Sequence, residues 1–75
     1  MDSRPAIEIY TTRTCGYCYA AKRTLESESL DFTEYDVTSD PDKRAWLLIN
    51  TGQRTVPQVF VDGVCIGGYT ELRAA

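Results

Sequence analysis

Two cysteines stand two residues apart in the segment Cys15-Gly16-Tyr17-Cys18. Residues at positions i and i+3 of a helix lie one turn apart on the same side, so these two thiols can close a disulfide with little backbone movement. If the helix begins at Cys15, its sulfur meets unpaired backbone N–H groups and the positive end of the helix dipole. Both favour the thiolate, which is the nucleophilic form. The motif therefore predicts a reactive thiol at Cys15. It also predicts a second thiol at Cys18, which can attack and resolve the covalent intermediate that Cys15 forms.

The overall composition narrows the functional classes. The chain has 75 residues, of which 43% are hydrophobic and 25% charged, and its net charge is −3. We expect one domain, residues 1–75, with a modest core. The negative charge argues against nucleic-acid binding, and no segment is apolar enough to span a membrane. Because the N-terminus has no apolar signal region, we expect a cytoplasmic protein. The cytoplasm is a reducing compartment, in which a Cys-x-x-Cys pair is more often catalytic or metal-binding than a structural bridge.

Strands and helices are predicted to alternate around the cysteine motif. A strand over 6–10 precedes it and a helix over 16–28 follows, with Cys18, Ala21 and Leu25 on one face. A second strand covers 32–37. The capping signal Ser39-Asp40-Pro41 then starts a helix that turns Trp46, Leu47 and Ile49 inward and stops at Gly52. Two last strands, 58–61 and 64–66, flank the hairpin turn Asp62-Gly63, and a final helix begins at Tyr69.

This order predicts an α/β fold with one mixed four-stranded sheet. The β-α-β unit implies two parallel strands joined by a right-handed crossover, and the hairpin adds an antiparallel pair. Helices then cover the faces of the sheet. Because the first helix begins with the cysteine motif, Cys15 lies at the carboxyl end of a strand, where α/β sheets usually carry their chemistry.

Three segments together resemble the glutaredoxin family over about residues 7–72. They are Cys15-Gly16-Tyr17-Cys18, Thr55-Val56-Pro57-Gln58-Val59-Phe60 and Gly67-Gly68-Tyr69-Thr70-Glu71-Leu72, in the order and spacing of that family. The resemblance implies a thioredoxin-like fold. It also implies an enzyme that uses glutathione as co-substrate to reduce protein–glutathione mixed disulfides and protein disulfides, with glutathione and such proteins as its partners.

The resemblance also implies roles for individual residues. Cys15 attacks the glutathione sulfur of a mixed disulfide, and Cys18 resolves mixed disulfides formed with protein substrates. Val56 precedes a cis Pro57 and pairs through its backbone with the cysteinyl unit of glutathione. Backbone N–H groups of Thr70 and Glu71 hold the γ-glutamyl carboxylate, while the Glu71 side chain takes the ammonium group.

Two further contacts follow from the same resemblance. Arg44 matches the helix position that grips the glycine carboxylate of glutathione, a task suited to a guanidinium group. Tyr17 lines the pocket at that end of the ligand. The Glu71 contact carries an alternative interpretation, in which the side chain only pairs with the dipole at the start of the last helix.

The chain departs from the family pattern at four places. Gly16 replaces the usual proline and leaves the active-site turn more flexible. Thr12 stands where many relatives have lysine, with Arg13 next to it as a substitute cation. The final helix is short or truncated at Ala75. Cys65 is an extra thiol, which we interpret as a small apolar residue of a strand, with a regulatory or intermolecular thiol as the alternative.

Three other functions compete with a monomeric glutathione-dependent enzyme. Glutaredoxins with a small residue after the first cysteine can hold a [2Fe–2S] cluster, so Gly16 also predicts a dimer bridged by a cluster on Cys15 of each subunit and two glutathiones. A thioredoxin-like hydrogen donor that ignores glutathione is disfavoured by Arg44, Glu71 and Gly67-Gly68. A structural zinc site is the least favoured, since one Cys-x-x-Cys supplies too few ligands.

Overall fold

The computed structural model describes residues 5–74, which form one four-stranded sheet and three helices. The predictions that concern residues 1–4 and Ala75, including the signal-free N-terminus, lie outside this range. The elements in chain order are β1 (Ile7–Thr11), α1 (Gly16–Ser27), β2 (Thr33–Asp36), α2 (Pro41–Thr51), β3 (Gln58–Val61), β4 (Val64–Gly67) and α3 (Tyr69–Ala74). Among these residues, none of the helices has the length and the apolar run that crossing a membrane requires.

The sheet has the strand order β2-β1-β3-β4. β1 runs parallel to β2 and antiparallel to β3, and β3 pairs antiparallel with β4. The parallel pair requires a crossover, which α1 supplies, whereas β3 and β4 need only the two-residue turn at Asp62 (φ 51°) and Gly63 (φ 82°). The predicted mixed four-stranded sheet is confirmed.

Helix α1 packs its predicted face against the sheet. Cys18, Ala21 and Leu25 are all buried, as their spacing along one side of a helix requires. The apolar cluster on this side of the sheet also contains Ile7, Ile9 and Val59, and α3 contributes Leu72 at its edge.

Both ends of α2 follow local sequence signals. Asp40 caps the first turn, because its carboxylate oxygen accepts a hydrogen bond from the Lys43 N–H at 3.0 Å, and Pro41 occupies the first turn, where no N–H is needed. Gly52 ends the helix in the left-handed conformation, with φ 72°, and its N–H bonds to the Leu48 carbonyl at 2.9 Å. The predicted start and stop are confirmed.

The predicted inward face of α2 is only partly correct. Leu47 is 4% exposed and packs with Tyr10, Val37 and Phe60, but Ile49 is 81% exposed. Two residues along a helix are about 200° apart, so Leu47 and Ile49 cannot both face the sheet. The prediction for Ile49 is therefore wrong.

Trp46 is also less buried than predicted, because it lies at the rim of the same cluster and remains 44% exposed. Its ring centroid is 5.7 Å from that of Tyr10 and 5.6 Å from that of Phe60. These are distances at which aromatic rings attract each other. Trp46 thus covers the cluster from the side rather than filling it.

Leu47, which is buried, and Ile49, which is exposed, give a matched test of which side of α2 faces the sheet. We expect Leu47→Ala to lower the free energy of unfolding by about 2–4 kcal/mol, because it leaves a cavity in the core. Ile49→Ala should change it by less than about 0.5 kcal/mol, because that side chain is solvated. Urea denaturation of both variants measures the difference, and equal losses would contradict the orientation of α2.

Candidate active site

Cys15 is the cap of helix α1. β1 ends at Thr11, and the turn that follows brings Cys15 to the carboxyl end of this strand with an extended backbone, φ −116° and ψ 107°. Its sulfur accepts a hydrogen bond from the Cys18 N–H at 3.1 Å. The predicted meeting of this sulfur with an unpaired N–H at the helix start is thus observed, and such a contact stabilises a negatively charged sulfur.

Cys18 lies one turn further along and is in a different environment. Its side chain is 2% exposed. Burial, reinforced by the hydrogen bond with Cys15, raises the pKa of the Cys18 thiol to about 12. Both cysteines are free thiols. The motif therefore holds a partly exposed sulfur that accepts an N–H bond beside a buried thiol that stays protonated at neutral pH.

The loop between α2 and β3 forms the opposite wall of the site. The Val56–Pro57 peptide bond is cis, as predicted. The Cys15 thiol lies 3.6 Å from the Val56 carbonyl oxygen and donates to it. The first cysteine of the motif is thus in contact with the residue that precedes the cis proline.

A depression of about 190 Å³ brings together most of the predicted binding residues. Its walls come from the start of α1, the loop before β3 and the start of α3. Of the predicted residues, the structure places Tyr17, Val56, Pro57, Thr70 and Glu71 around it, together with Gln53, Thr55, Gly68 and Tyr69, which the sequence did not single out for binding.

The rings of Tyr17 and Tyr69 meet in the wall of this depression. Their centroids are 5.9 Å apart, and Tyr17 is 68% exposed. The contact joins the first turn of α1 to the first turn of α3. Tyr69 had no sequence signal beyond its place at the start of the last helix, because its contact with Tyr17 arises only from the tertiary fold.

The Glu71 carboxylate already has a partner within the protein. One of its oxygens accepts a hydrogen bond from the Gly68 N–H at 2.8 Å, the contact that a glutamate makes at the third position of a helix. This carboxylate lies over Gly67, where an added Cβ would be 2.5 Å from the Glu71 oxygen. Gly67 also has φ 111°, so close approach and backbone conformation both require glycine there.

Arg44 lies in a second depression, of about 300 Å³, next to the first. Val56 lines both depressions, and Arg54 accompanies Arg44 in the second. The structure thus separates Arg44 from the other predicted binding residues but connects the two groups through Val56. Arg13, the substitute cation of the sequence analysis, instead lies 3.6 Å from the Asp36 carboxylate.

Comparison with known proteins identifies the family. The glutaredoxin family model matches residues 7–66. Glutaredoxin 3 of Escherichia coli strain K12 is 41% identical over 68 residues, which cover 91% of this chain and 82% of that protein.

Solved structures agree with this match. A glutaredoxin from Brucella melitensis superposes with a TM-score of 0.85 at 36% identity, covering 97% of this chain and 79% of that one. A buckwheat glutaredoxin–glutathione complex superposes with a TM-score of 0.85 at 30% identity, and the match covers 93% of this chain and 66% of that one. The predicted thioredoxin-like fold is confirmed. The chain belongs to the glutaredoxin family of thiol–disulfide oxidoreductases.

Proposed function

We propose that this protein uses glutathione to reduce protein–glutathione mixed disulfides and protein disulfides. It does so as a monomeric single domain, residues 1–75, in the cytoplasm. The observation that carries the proposal is the meeting of two depressions at Val56, beside Cys15. One contains two arginines and the other the Glu71 carboxylate and the start of α3. Glutathione has a lone carboxylate at one end, an amino acid group at the other and its sulfur between them.

Each part of glutathione then has a partner. Arg44 holds the glycine carboxylate with a charge-assisted hydrogen bond, and Tyr17 lines the pocket. The Val56 backbone pairs with the cysteinyl unit. The N–H groups of Thr70 and Glu71 hold the γ-glutamyl carboxylate, and the Glu71 oxygen that does not cap Gly68 takes the ammonium group. Pro57 fixes the end of the loop beside Cys15.

The first chemical step is an attack by the Cys15 thiolate on the glutathione sulfur of a protein–glutathione mixed disulfide. A new disulfide forms between Cys15 and glutathione while the original one breaks, and the substrate protein leaves as a thiolate that takes up a proton. A second glutathione thiolate then attacks the glutathione sulfur on Cys15. This releases glutathione disulfide and restores the Cys15 thiolate.

Cys18 is needed only when the substrate is a protein disulfide. Cys15 then forms a mixed disulfide with the substrate, and the Cys18 sulfur attacks the Cys15 sulfur and loses its proton. The products are a Cys15–Cys18 disulfide and a reduced substrate, and two glutathiones reduce the enzyme again. Cys18 is a protonated thiol at neutral pH, so its attack on the mixed disulfide requires the loss of that proton.

The roles of the two cysteines predict different mutant activities. We expect Cys15→Ser to abolish reduction of both substrates, since among residues 5–74 no other thiol caps a helix. Cys18→Ser should keep reduction of a glutathione mixed disulfide and lose most reduction of a protein disulfide. Glutathione-coupled assays with the two substrates measure this, and activity retained in Cys15→Ser would contradict the assignment.

Arg44 gives a separate test of ligand placement. Arg44→Ala removes a charge-assisted contact that contributes about 1–3 kcal/mol, so we expect the KM for glutathione to rise while the Cys15 alkylation rate stays at the wild-type value. Arg23→Ala is a matched control, because Arg23 lies on the exposed side of α1 against Tyr19. Equal KM values in both variants would place the glycine carboxylate elsewhere.

A [2Fe–2S] cluster is a second candidate, favoured by one observation. Apart from its chain neighbours and the backbone of its own helix, a Cβ built on Gly16 meets no atom within 4 Å, so the space at the first residue of α1 is open. Within residues 5–74 no three cysteine, histidine or acidic side chains lie close enough to hold a metal ion. Cluster binding would therefore need Cys15 from two subunits and two glutathiones, which together supply the usual four thiolates. Such a cluster would supply electron-transfer or cluster-delivery chemistry.

Gly16→Pro separates the two candidates. Proline is tolerated at the first position of a helix, but its ring fills the open space beside Cys15. We expect anaerobic incubation with iron, sulfide and glutathione to give a coloured dimer of the wild type, with less cluster retained in Gly16→Pro and similar disulfide reduction. A wild type that stays colourless and monomeric would eliminate the cluster candidate.

A further inference from the structure

The side chain of Gln58 is a buried amide that the proposed chemistry does not use. Gln58 is the first residue of β3 and is only 1% exposed. Its backbone pairs with Tyr10 of β1 in the middle of the sheet. A buried amide is costly unless its donor and acceptor groups find partners, so the contacts of Gln58 indicate why a polar residue stands there.

Those contacts connect Gln58 to the loop that forms the wall of the site. Its amide nitrogen lies 2.9 Å from the Thr55 carbonyl oxygen, 3.0 Å from the Gln53 side-chain oxygen and 3.3 Å from the Thr55 hydroxyl. Its amide oxygen accepts a bond from the Cys65 thiol at 3.5 Å. The amide group thus ties residues 53–55 to a fixed position in the sheet.

The bond to the Thr55 carbonyl also determines the direction of the next N–H group. The Thr55 carbonyl and the Val56 N–H belong to one peptide unit. Within residues 5–74 the only cis bond is Val56–Pro57, so this unit is trans. In a planar trans peptide the C=O and N–H point in opposite directions. Because the carbonyl points toward the buried Gln58 amide, the Val56 N–H points away from it.

We propose that Gln58 is a positioning residue that aims the Val56 N–H at the cysteinyl backbone of glutathione. This inference rests on the proposed function. Gln58 acts through the Thr55–Val56 peptide, since its own side chain is buried and does not line the depression. Without the bond to Gln58 the peptide can rotate, and ligand binding must then order it, which lowers affinity.

Gln58→Met and Cys65→Ala form a matched pair. Methionine has a similar length but donates no hydrogen bond, so Gln58→Met frees the Thr55 carbonyl. Cys65→Ala removes the hydrogen bond to the oxygen of the same amide and leaves the contacts of the amide nitrogen with the loop in place. Thermal unfolding identifies variants that remain folded. Iodoacetamide, a small reagent that does not need to pair with the Val56 N–H, reports the Cys15 alkylation rate.

The experiment is a glutathione titration of isotope-labelled protein followed at the Val56 N–H by NMR. We expect Gln58→Met to weaken glutathione binding about tenfold, with Cys65→Ala within about twofold of wild type and the Cys15 alkylation rate unchanged in both. Equal affinity in Gln58→Met and wild type would overturn the inference while leaving the proposed function intact. A parallel loss of Cys15 alkylation would also overturn it, since Gln58 would then support the whole site.

A measurement on the wild type keeps the test decisive if Gln58→Met does not fold. A scalar coupling across the hydrogen bond between the Gln58 amide nitrogen and the Thr55 carbonyl carbon is expected, together with a glutathione-induced shift of the Val56 N–H. Absence of the coupling overturns the inference alone. Absence of any glutathione-induced shift in the wild type removes the proposed function and this inference with it.

Discussion

The hydrogen bond from the Cys18 N–H to the Cys15 sulfur is the interaction on which the site depends. Helices usually begin with an oxygen-bearing side chain that accepts from the first turn. Here a sulfur has that place, so the contact that starts α1 ends on the thiol of Cys15, the proposed nucleophile. The same helix buries Cys18, whose pKa is raised by that burial. One turn of helix therefore gives two identical side chains different environments, one partly exposed and one buried.

The rest of the fold places a depression next to this sulfur, with Val56 in contact with both. β1 delivers Cys15, the loop after α2 brings the Val56 carbonyl to 3.6 Å from it, and α3 closes the far side through Tyr69. Gly52, in the left-handed conformation, ends α2 just before this loop. The buried Gln58 side chain donates a hydrogen bond to the Thr55 carbonyl of the loop. Each wall is thus attached to a regular element, as the proposed binding of glutathione in a preformed site requires.

Local signals explain what could be predicted from the sequence. The cysteine spacing, the Asp40 cap, the Gly52 stop and the Asp62-Gly63 turn depend on neighbouring residues, and the structure confirms them. The residue type of Ile49 predicts a core position, but Ile49 lies two residues from Leu47, and helix geometry allows only one of the two to face the sheet.

The remaining differences depend on the tertiary fold. The capping of the Gly68 N–H by the Glu71 carboxylate follows a known helix-start pattern, but the contact of that side chain with Gly67 requires the assembled turn. Tyr69 meets Tyr17 across two helices, and Gln58 finds its partners on a loop and on β4. A single sequence has no periodic or spacing signal for such pairs, because their partners are set by the packing of distant elements.

The most direct test of this account is the alkylation rate of each cysteine as a function of pH, followed by mass spectrometry of iodoacetamide-treated protein. The capped and partly exposed sulfur of Cys15 is predicted to be alkylated faster than Cys18 at neutral pH. Cys18 is predicted to resist until the pH approaches its raised pKa of about 12. Similar rates for both cysteines across the neutral range would contradict the claim that the start of α1 separates a nucleophile from a resolving thiol.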